Sequence, residues 1–264
     1  MSTYSSAVRD SVTMLRRNLL HALRYPSATI WSVAIPVFFL LLFGGLFGKA
    51  LGTGLGGTPS GGVDYIDYVT PAIILIAAAT GGTSTALIVS MDMTEGIINR
   101  FRTMAISRAS VLTGHVVGSV IQTMVSIVLV IGVALLMGFR PTANVVEWVA
   151  VLGLLALLTL AIAWLSAAVG LVARGPESAS NMPIPFVLLP LLGSGFIPPE
   201  SMPAGLRWFA EHQPFTPATE TLRGLLMGTP IGNDAVVTLA WCAGLGLGGY
   251  LWARTAFDRD PKPR

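Results

Sequence analysis

Six long apolar runs, nearly free of charged residues, constrain this chain more than any other feature of its sequence. A transmembrane helix needs about 20 mostly apolar residues to cross the hydrocarbon core of a bilayer. Only 11% of the 264 residues are charged and 53% are hydrophobic, whereas a soluble domain carries about 25% charged residues. The pattern predicts an all-α membrane protein with six transmembrane helices. The predicted spans are residues 27–48, 68–90, 110–138, 148–173, 181–197 and 235–256.

Lysine and arginine residues fall mainly on one side of this predicted bundle. Twelve of the 16 lie before span 1, between spans 2 and 3, between spans 4 and 5, or near the end of the chain. Connections rich in these residues remain in the cytosol, so both termini are expected there. The net charge of +3 is therefore explained by topology. No basic patch interleaved with aromatic residues indicates a nucleic-acid partner.

The first 26 residues contain a second kind of membrane signal. Apolar residues recur at helical spacing from Val8 to Leu23, while arginines lie mostly on the opposite side. This pattern is typical of an amphipathic helix at the membrane interface. Tyr25-Pro26 then ends it, because the residue before a proline is disfavoured in a helix. We therefore predict an N-terminal interfacial helix over residues 1–26.

Residues 91–108, between spans 2 and 3, are too polar to cross a bilayer. Asp92 and Glu95 stand near the start, where a helix exposes N–H groups and the positive end of its dipole. Ile97 and Phe101 begin an apolar stripe at helical spacing. The pattern predicts a short cytosolic helix that a partner protein could displace. The alternative is a helix that only lies along the lipid surface.

The second span carries a run of small and hydroxyl residues at positions 80–85. Ala77 and Gly81 are spaced by four, as close contact between helices requires. The alternative is that this run lines a path for a substrate with polar and apolar parts, and both interpretations could hold. In the sixth span, Gly244 and Gly248 are a similar candidate for close helix packing.

Three prolines interrupt the fifth span. Pro183, Pro185 and Pro190 remove backbone hydrogen bonds, so this span is predicted to be kinked or short. Residues 198–234 follow, and the helical stretches within them are too short and too polar to cross a bilayer. We predict that they form short re-entrant helices at the outer side of the membrane.

No arrangement of residues indicates an enzyme. Residues 52–57 match a GxGxxG pattern, but they follow a membrane span and open no βαβ unit. No phosphate-binding loop is visible, and Glu220 with Arg223 fits an ordinary i, i+3 ion pair rather than a catalytic pair. The single cysteine, Cys242, excludes an intramolecular disulfide and a cysteine-based metal cluster. We therefore expect no ATPase site, metal or cofactor in this chain.

Short motifs also occur in a characteristic order along the chain. They are Arg24-Tyr25-Pro26, Tyr65-Ile66-Asp67-Tyr68-Val69-Thr70-Pro71, Glu95-Gly96 with Arg100-Phe101-Arg102, Phe196-Ile197-Pro198-Pro199, and Leu222-Arg223-Gly224-Leu225. In this order, set against six spans, they resemble the type-two ABC exporter permeases, most closely the daunorubicin/doxorubicin-resistance branch. Ala105 departs from the proline that the family often has, which affects the expected end of the cytosolic helix.

The resemblance implies that residues 1–264 form a single transmembrane domain that works with other chains. These would be a separate ATP-binding subunit, which binds ATP and Mg²⁺, and a second permease copy in a homodimer. The implied cargo is an amphipathic small molecule or lipid, exported across the plasma membrane of a bacterium. Export of a lipid-linked polysaccharide or glycolipid remains an alternative, and so does a passive channel or scaffold.

The resemblance also implies two sets of site residues. The first set, here called the coupling set, would receive motion from the ATP-binding subunit and comprises Asp92, Glu95, Gly96, Ile97, Arg100, Phe101, Arg102, Met104 and Arg108. The second set would line a substrate path or the dimer interface and comprises Ala77, Thr80, Gly81, Thr83, Ser84, Phe186, Leu189 and Phe196.

Overall fold

Every regular element in the part of the chain that the structure describes is a helix. The computed structural model describes residues 26–48, 65–94 and 108–258. The longer helices are α1 (Pro26–Phe39), α2 (Tyr65–Thr94), α3 (Arg108–Met137), α4 (Val145–Val172) and α9 (Asp234–Asp258). The shorter helices are α5 (Pro176–Asn181), α6 (Ile184–Leu188), α7 (Ala204–His212) and α8 (Phe215–Met227). A π-helical turn, Leu40–Leu46, continues α1, and 3₁₀ turns lie at Leu189–Leu192 and Pro199–Ser201.

Helices α1 to α4 alternate in direction and α9 runs parallel to α4, so the termini of the long helices gather at two ends of the bundle. At one end, called the Tyr65 end, the backbone N–H of Arg140 just after α3 donates to Asp67 Oδ1 in the first turn of α2, at 3.0 Å. At the opposite end, called the Thr94 end, residues from the last turns of α2 and α9 and the first turns of α3 share one apolar cluster. Both α7 and α8 lie at the Tyr65 end, since α8 contacts the start of α2.

The central element of the bundle is α2. Its 30 residues contact α1, α3, α4, α5, α6 and α8, and every residue from Val69 to Gly82 is buried. A helix that is apolar on all sides is covered by protein or by lipid, and in α2 the cover comes from neighbouring helices. Five exposed or half-buried positions on the second half of α2 share one face toward the Thr94 end. They are Thr83, Ser84, Leu87, Ile88 and Met91.

Two consecutive glycines allow α2 to contact neighbours on two sides. A Cβ atom on Gly81 would overlap the side chain of Thr123 in α3. A Cβ atom on Gly82 would lie 2.6 Å from Ile162 Cγ2 and 2.7 Å from Ser166 Oγ in α4. Both distances are too short for real atoms, so side chains at these positions would separate the helices. The packing interpretation of Gly81 is therefore confirmed.

In α9 the packing prediction for Gly244 and Gly248 is wrong. A Cβ atom at either position would meet no heavy atom within 4 Å. The close approach occurs at Gly249, where a Cβ atom would lie 2.5 Å from the backbone nitrogen and 2.8 Å from the Cα atom of Leu165 in α4. The buried face of α9 passes through Cys242, Gly249 and Ala253, so a spacing of four between glycines did not identify the contacting face.

The number of long spans differs from the prediction. Four described helices are long and apolar enough to cross a membrane: Tyr65–Thr94, Leu112–Met137, Val145–Val172 and Asp234–Phe257. The first predicted span contains a shorter apolar helix, Ser32–Leu46. The fifth is divided into α5, α6 and a 3₁₀ turn, because prolines at 183, 185 and 190 cannot donate backbone hydrogen bonds. The all-helical membrane architecture is thus observed with four candidate spans.

Two predicted helices fall mostly outside the described residues. The N-terminal helix over residues 1–26 lies there except for Pro26, which begins α1. Most of residues 91–108 lies there too, but residues 91–94 form the last turn of α2. The expectation that Asp92 begins a new helix is therefore wrong. Apolar residues continue the α2 helix to this point, and Thr94 Oγ1 donates to the carbonyl of Ser90 at 3.1 Å.

We expect Gly249→Ala to lower the stability of the protein, because its Cβ atom would collide with the α4 backbone. Overpacking of this kind costs about 1–3 kcal/mol. Gly244→Ala is the matched control on the same helix, since its Cβ atom enters open space and alanine favours the helix. Thermal unfolding of the purified protein in detergent checks this. Equal transition temperatures for the two variants would contradict the contact.

Candidate functional site

The coupling set brackets the connection between α2 and α3. Asp92 lies in the last turn of α2, and Arg108 is the first residue of α3. The other members lie outside the described residues: Glu95, Gly96, Ile97, Arg100, Phe101, Arg102 and Met104. Both ends of this connection lie at the Thr94 end of the bundle, and the coupling role of the set stays a prediction.

Asp92 is buried against a histidine of the next helix. Its side chain faces His115 in α3, with 3.1 Å between Asp92 Oδ2 and His115 Nε2. The two residues are 6% and 3% exposed. Asp92 and His115 are 23 positions apart in the sequence. The antiparallel packing of α2 against α3 brings their side chains together. The contact joins the end of α2 to the beginning of α3.

A polar cleft lies between α1, α2 and α3, midway along the bundle. It is narrow, since the space that a water molecule can occupy is about 10 Å³, which is room for about one water. Eight residues line it: Ser32 from α1, Ala77, Gly81 and Ser84 from α2, and Ser119, Gln122, Thr123 and Ser126 from α3. Six of these carry a hydroxyl or amide group, and none carries a charge. We call this site the polar cleft.

Hydrogen bonding inside the polar cleft fixes some of its groups. Ser126 Oγ donates to the backbone carbonyl of Gln122 at 3.2 Å, and it lies 3.1 Å from Ser32 Oγ. A serine hydroxyl has one proton, so Ser32 donates to Ser126 when Ser126 donates to the carbonyl. This contact attaches α1 to α3. Hydroxyl and amide groups can both donate and accept, so the cleft suits neutral polar groups of an otherwise apolar molecule.

The α3 wall of the polar cleft is the part that the sequence interpretation missed. Ser119, Gln122, Thr123 and Ser126 are spaced at i, i+3, i+4 and i+7, which places them on one face of a helix. The same residues stand within an apolar span, where polar groups prefer to face the bundle interior. A search for polar periodicity in each span would therefore have found this wall.

The predicted substrate-path residues divide into two groups in the structure. Ala77, Gly81 and Ser84 line the polar cleft, and Thr83 is half-buried nearby on α2. Thr80 is buried and donates to the carbonyl of Ile76 at 2.7 Å. The residues predicted on the fifth span lie elsewhere, packed in or against the main apolar core: Phe186, Leu189 and Phe196. Within one chain, α6 and the 3₁₀ turn contact α2, but the predicted fifth-span residues do not line the polar cleft.

A second polar site lies at the Tyr65 end and is called the Arg223 cluster, comprising Tyr68, Ser194, Glu220 and Arg223. Arg223 Nη1 donates to Glu220 Oε1 at 2.6 Å, which confirms the predicted ion pair. Arg223 Nη2 donates to the backbone carbonyls of Tyr68 and Ser194 at 3.1 and 3.2 Å. The guanidinium carbon also lies 4.0 Å from the centre of the Tyr68 ring. The cluster therefore attaches α8 to α2 and to the turn after the fifth span.

The same region contains buried polar atoms without a hydrogen-bond partner in the described part of the chain. They are Ser194 Oγ, Gln213 Oε1 and Arg223 Nε. Tyr68 additionally donates its hydroxyl to the Ser194 carbonyl at 2.8 Å. Buried polar groups in native proteins usually pair with protein or with ordered water, so this region has the composition of a site that holds internal water.

Among the described residues, no group of three or more histidine, cysteine or carboxylate side chains is placed to hold a metal ion. Cys242 is buried within the bundle. The polar groups that converge are therefore the uncharged lining of the polar cleft, the paired charges of the Arg223 cluster, and Asp92 with His115. Binding of an uncharged polar ligand and attachment between helices are the chemistry that these groups can support.

We expect Arg223→Gln to destabilise the protein, because Glu220 and two backbone carbonyls would lose their cationic donor. Removing one partner of a largely buried pair costs about 3 kcal/mol. Arg207→Gln is the matched control, since Arg207 forms an exposed i, i+4 pair with Glu211, and exposed pairs contribute little. The thermal unfolding temperature in detergent should fall clearly for Arg223→Gln only. A similar shift in both would show that the Arg223 contacts do not stabilise the bundle.

Comparison with known proteins assigns this helical architecture to a family. The profile of the ABC-2 type transporter family matches residues 10–227. The chain is 28% identical over 243 residues to the daunorubicin resistance ABC transporter permease of Streptomyces coeruleorubidus, covering 91% of this chain and 83% of that protein. It is also 26% identical over 177 residues to a protein of Mycobacterium tuberculosis described as a probable doxorubicin resistance ABC transporter permease, covering 67% of this chain and 64% of that protein.

The family match covers both walls of the polar cleft, the Asp92–His115 contact and the Arg223 cluster. It extends over well more than half of the chain, and the apolar helices are those of a membrane protein. This chain belongs to the ABC-2 type transporter family.

Proposed function

We propose that this chain is the permease subunit of an ATP-driven exporter that moves a hydrophobic or amphipathic compound out of the cytosol. The observation that carries the proposal is the similarity, over 91% of the chain, to a daunorubicin resistance ABC transporter permease. Cargo of this kind fits an interior that is apolar overall and offers uncharged hydroxyl and amide groups at the polar cleft. ATP and Mg²⁺ would bind to a separate subunit.

The Thr94 end faces the cytosol in this proposal, and the chain crosses the membrane six times. Arg174 and Arg254 lie toward the Thr94 end, whereas Arg140, Arg207 and Arg223 lie at the Tyr65 end. Together with the basic residues at the two termini, this distribution favours a cytosolic Thr94 end. Both termini are then cytosolic. The helices α7 and α8 belong to the outer side as short re-entrant elements.

The exposure of α2 supports entry of cargo from the cytosolic side. From Val69 to Gly82 its residues are buried, while toward the Thr94 end Ser84 is half-buried and Met91 is 41% exposed. An exporter in its inward-facing state needs an opening at the cytosolic half and a seal at the outer half. The Arg223 cluster and the core around Phe196 provide contacts suited to the outer seal.

A second copy of the chain would complete the path. Within one chain Phe186 and Leu189 pack against the core that includes α2, and neither residue lines the polar cleft. The neighbouring Ile184, Leu188 and Leu192 are exposed, and they are available to a second copy. Homodimerisation would place a fifth span of one copy beside the second span of the other.

Residues 91–108 would transmit motion from the ATP-binding subunit. An apolar stripe flanked by arginines can occupy a groove on a soluble protein, and the segment connects α2 directly to α3. Transport would follow from the partner's different affinity for two arrangements of the spans.

We expect Phe101→Ala and Glu95→Gln to lower ATP-dependent efflux about tenfold or more while membrane insertion is retained, because both residues belong to the proposed contact with the ATP-binding subunit. Efflux and ATP hydrolysis are measured in vesicles that contain both subunits. Phe209→Ala is the control, since Phe209 is an exposed phenylalanine of α7 at the opposite end. Normal coupled efflux in both cytosolic variants would refute this role. Flux without any ATPase would instead favour a passive channel.

We expect Ser84→Phe to reduce efflux several-fold, because a large ring would fill the polar cleft. ATP hydrolysis by the partner subunit should persist, since Ser84 lies within the bundle. Val128→Phe is the control: Val128 is 55% exposed on α3, so its ring would face lipid. Efflux assays with neutral and cationic amphipathic dyes compare the two. Equal efflux by both variants for every dye would exclude the polar cleft from the path.

A further inference from the structure

The contact between Asp92 and His115 joins α2 to α3 close to the connection between these helices. Asp92 lies two residues before the end of α2, and His115 lies seven residues after the start of α3. The two side chains therefore join the helices on either side of the connection formed by residues 95–107. Their atoms approach to 3.1 Å, and a neutral or charged imidazole can donate Nε2–H to the carboxylate.

The surroundings of this contact are apolar. Val89, Leu112 and Val116 belong to a buried cluster that also includes residues of α4 and α9. A hydrogen bond to a carboxylate is stronger in such surroundings than in water, and a polar group that loses its partner there is costly. The contact therefore resists separation of α2 from α3 at the Thr94 end.

A second fixed point lies further along the same two helices. At Gly81 the backbone of α2 approaches Thr123 of α3 so closely that no side chain fits between them. Gly81 and Asp92 are separated by 11 positions, which corresponds to about 16 Å along a helix. Two contacts at this separation prevent both sliding and splaying of one helix against the other.

The polar cleft lies on the same helical pair. Ser84 in α2 and Ser119 in α3 fall between the two fixed points in sequence, and both line the cleft. If residues 95–107 are displaced, the displacement therefore reaches the cleft only when α2 and α3 move together. Without the contact near the Thr94 end, the last turn of α2 could bend independently of α3.

From this geometry we infer that Asp92 and His115 are positioning residues that make the α2–α3 pair move as one lever when residues 95–107 are displaced. The inference rests on the proposed function, since it concerns how motion from an ATP-binding subunit reaches the cleft. It assigns to Asp92 a contact inside the permease, in addition to its membership of the coupling set.

The test compares His115→Gln with His115→Asn in vesicles that contain both subunits. The amide nitrogen of glutamine can occupy the place of Nε2 and donate to Asp92. The asparagine side chain is one methylene shorter, so its amide nitrogen does not reach Asp92. The quantity measured is dye exported per ATP hydrolysed. We expect His115→Gln to stay within about twofold of wild type and His115→Asn to fall at least fivefold, with ATP hydrolysis retained in both. His212→Asn is the control, because His212 is exposed on α7.

A measurement on the permease alone separates the failure of this inference from the failure of the proposed function. Hydrogen–deuterium exchange of the last two turns of α2 should accelerate in His115→Asn and Asp92→Leu but not in His115→Gln. Unchanged exchange in all three variants, or equal export per ATP in both His115 variants, would overturn the inference. Absence of ATP-dependent export by the wild-type protein would overturn the proposed function, while the exchange experiment would still decide whether the contact holds the two helices together.

Discussion

Enclosure of α2 by its neighbours is the constraint on which the rest of the structure depends. This helix is buried from Val69 to Gly82, and six other helices and two helical turns contact it. Lipid is as apolar as leucine, and helices in a membrane associate through close packing and interhelical hydrogen bonds rather than through the hydrophobic effect. Gly81 and Gly82 permit this packing toward α3 and α4. Polar contacts with Asp92 at one end and Tyr68 at the other then fix the helix along its axis.

Long apolar periodic segments were predictable from the sequence because burial in lipid leaves a strong signal. The start and end of the second, third, fourth and sixth spans were placed within a few residues of the observed helices. The face that each helix presents was harder to predict. Gly244 and Gly248 have the expected spacing but do not pack, whereas Gly249 contacts Leu165, because small residues occur on several faces of α9. Tertiary contacts alone decide which of these faces is covered.

In the candidate sites, too, local contacts were predictable from the sequence and contacts between distant residues were not. The i, i+3 pair of Glu220 and Arg223 was predictable because helix geometry determines it locally. Its contacts with Tyr68 and Ser194 join residues more than 25 positions apart, and the sequence contains no local signal for them. The polar cleft was predictable in part. Its α2 wall is indicated by a cluster of small and hydroxyl residues, and its α3 wall by polar residues at helical spacing within an apolar span.

The division of the predicted fifth span into short pieces has a consequence for biosynthesis. Its pieces, α5, α6 and the turn at Leu189–Leu192, leave more backbone groups without intrahelical partners than a continuous helix does. Bare hydrocarbon tolerates such groups poorly, and protein neighbours must cover them. The turn contacts both α2 and α8, and α8 leaves the ribosome after it. The cover that α8 gives to this segment therefore becomes available only after α8 has been synthesised.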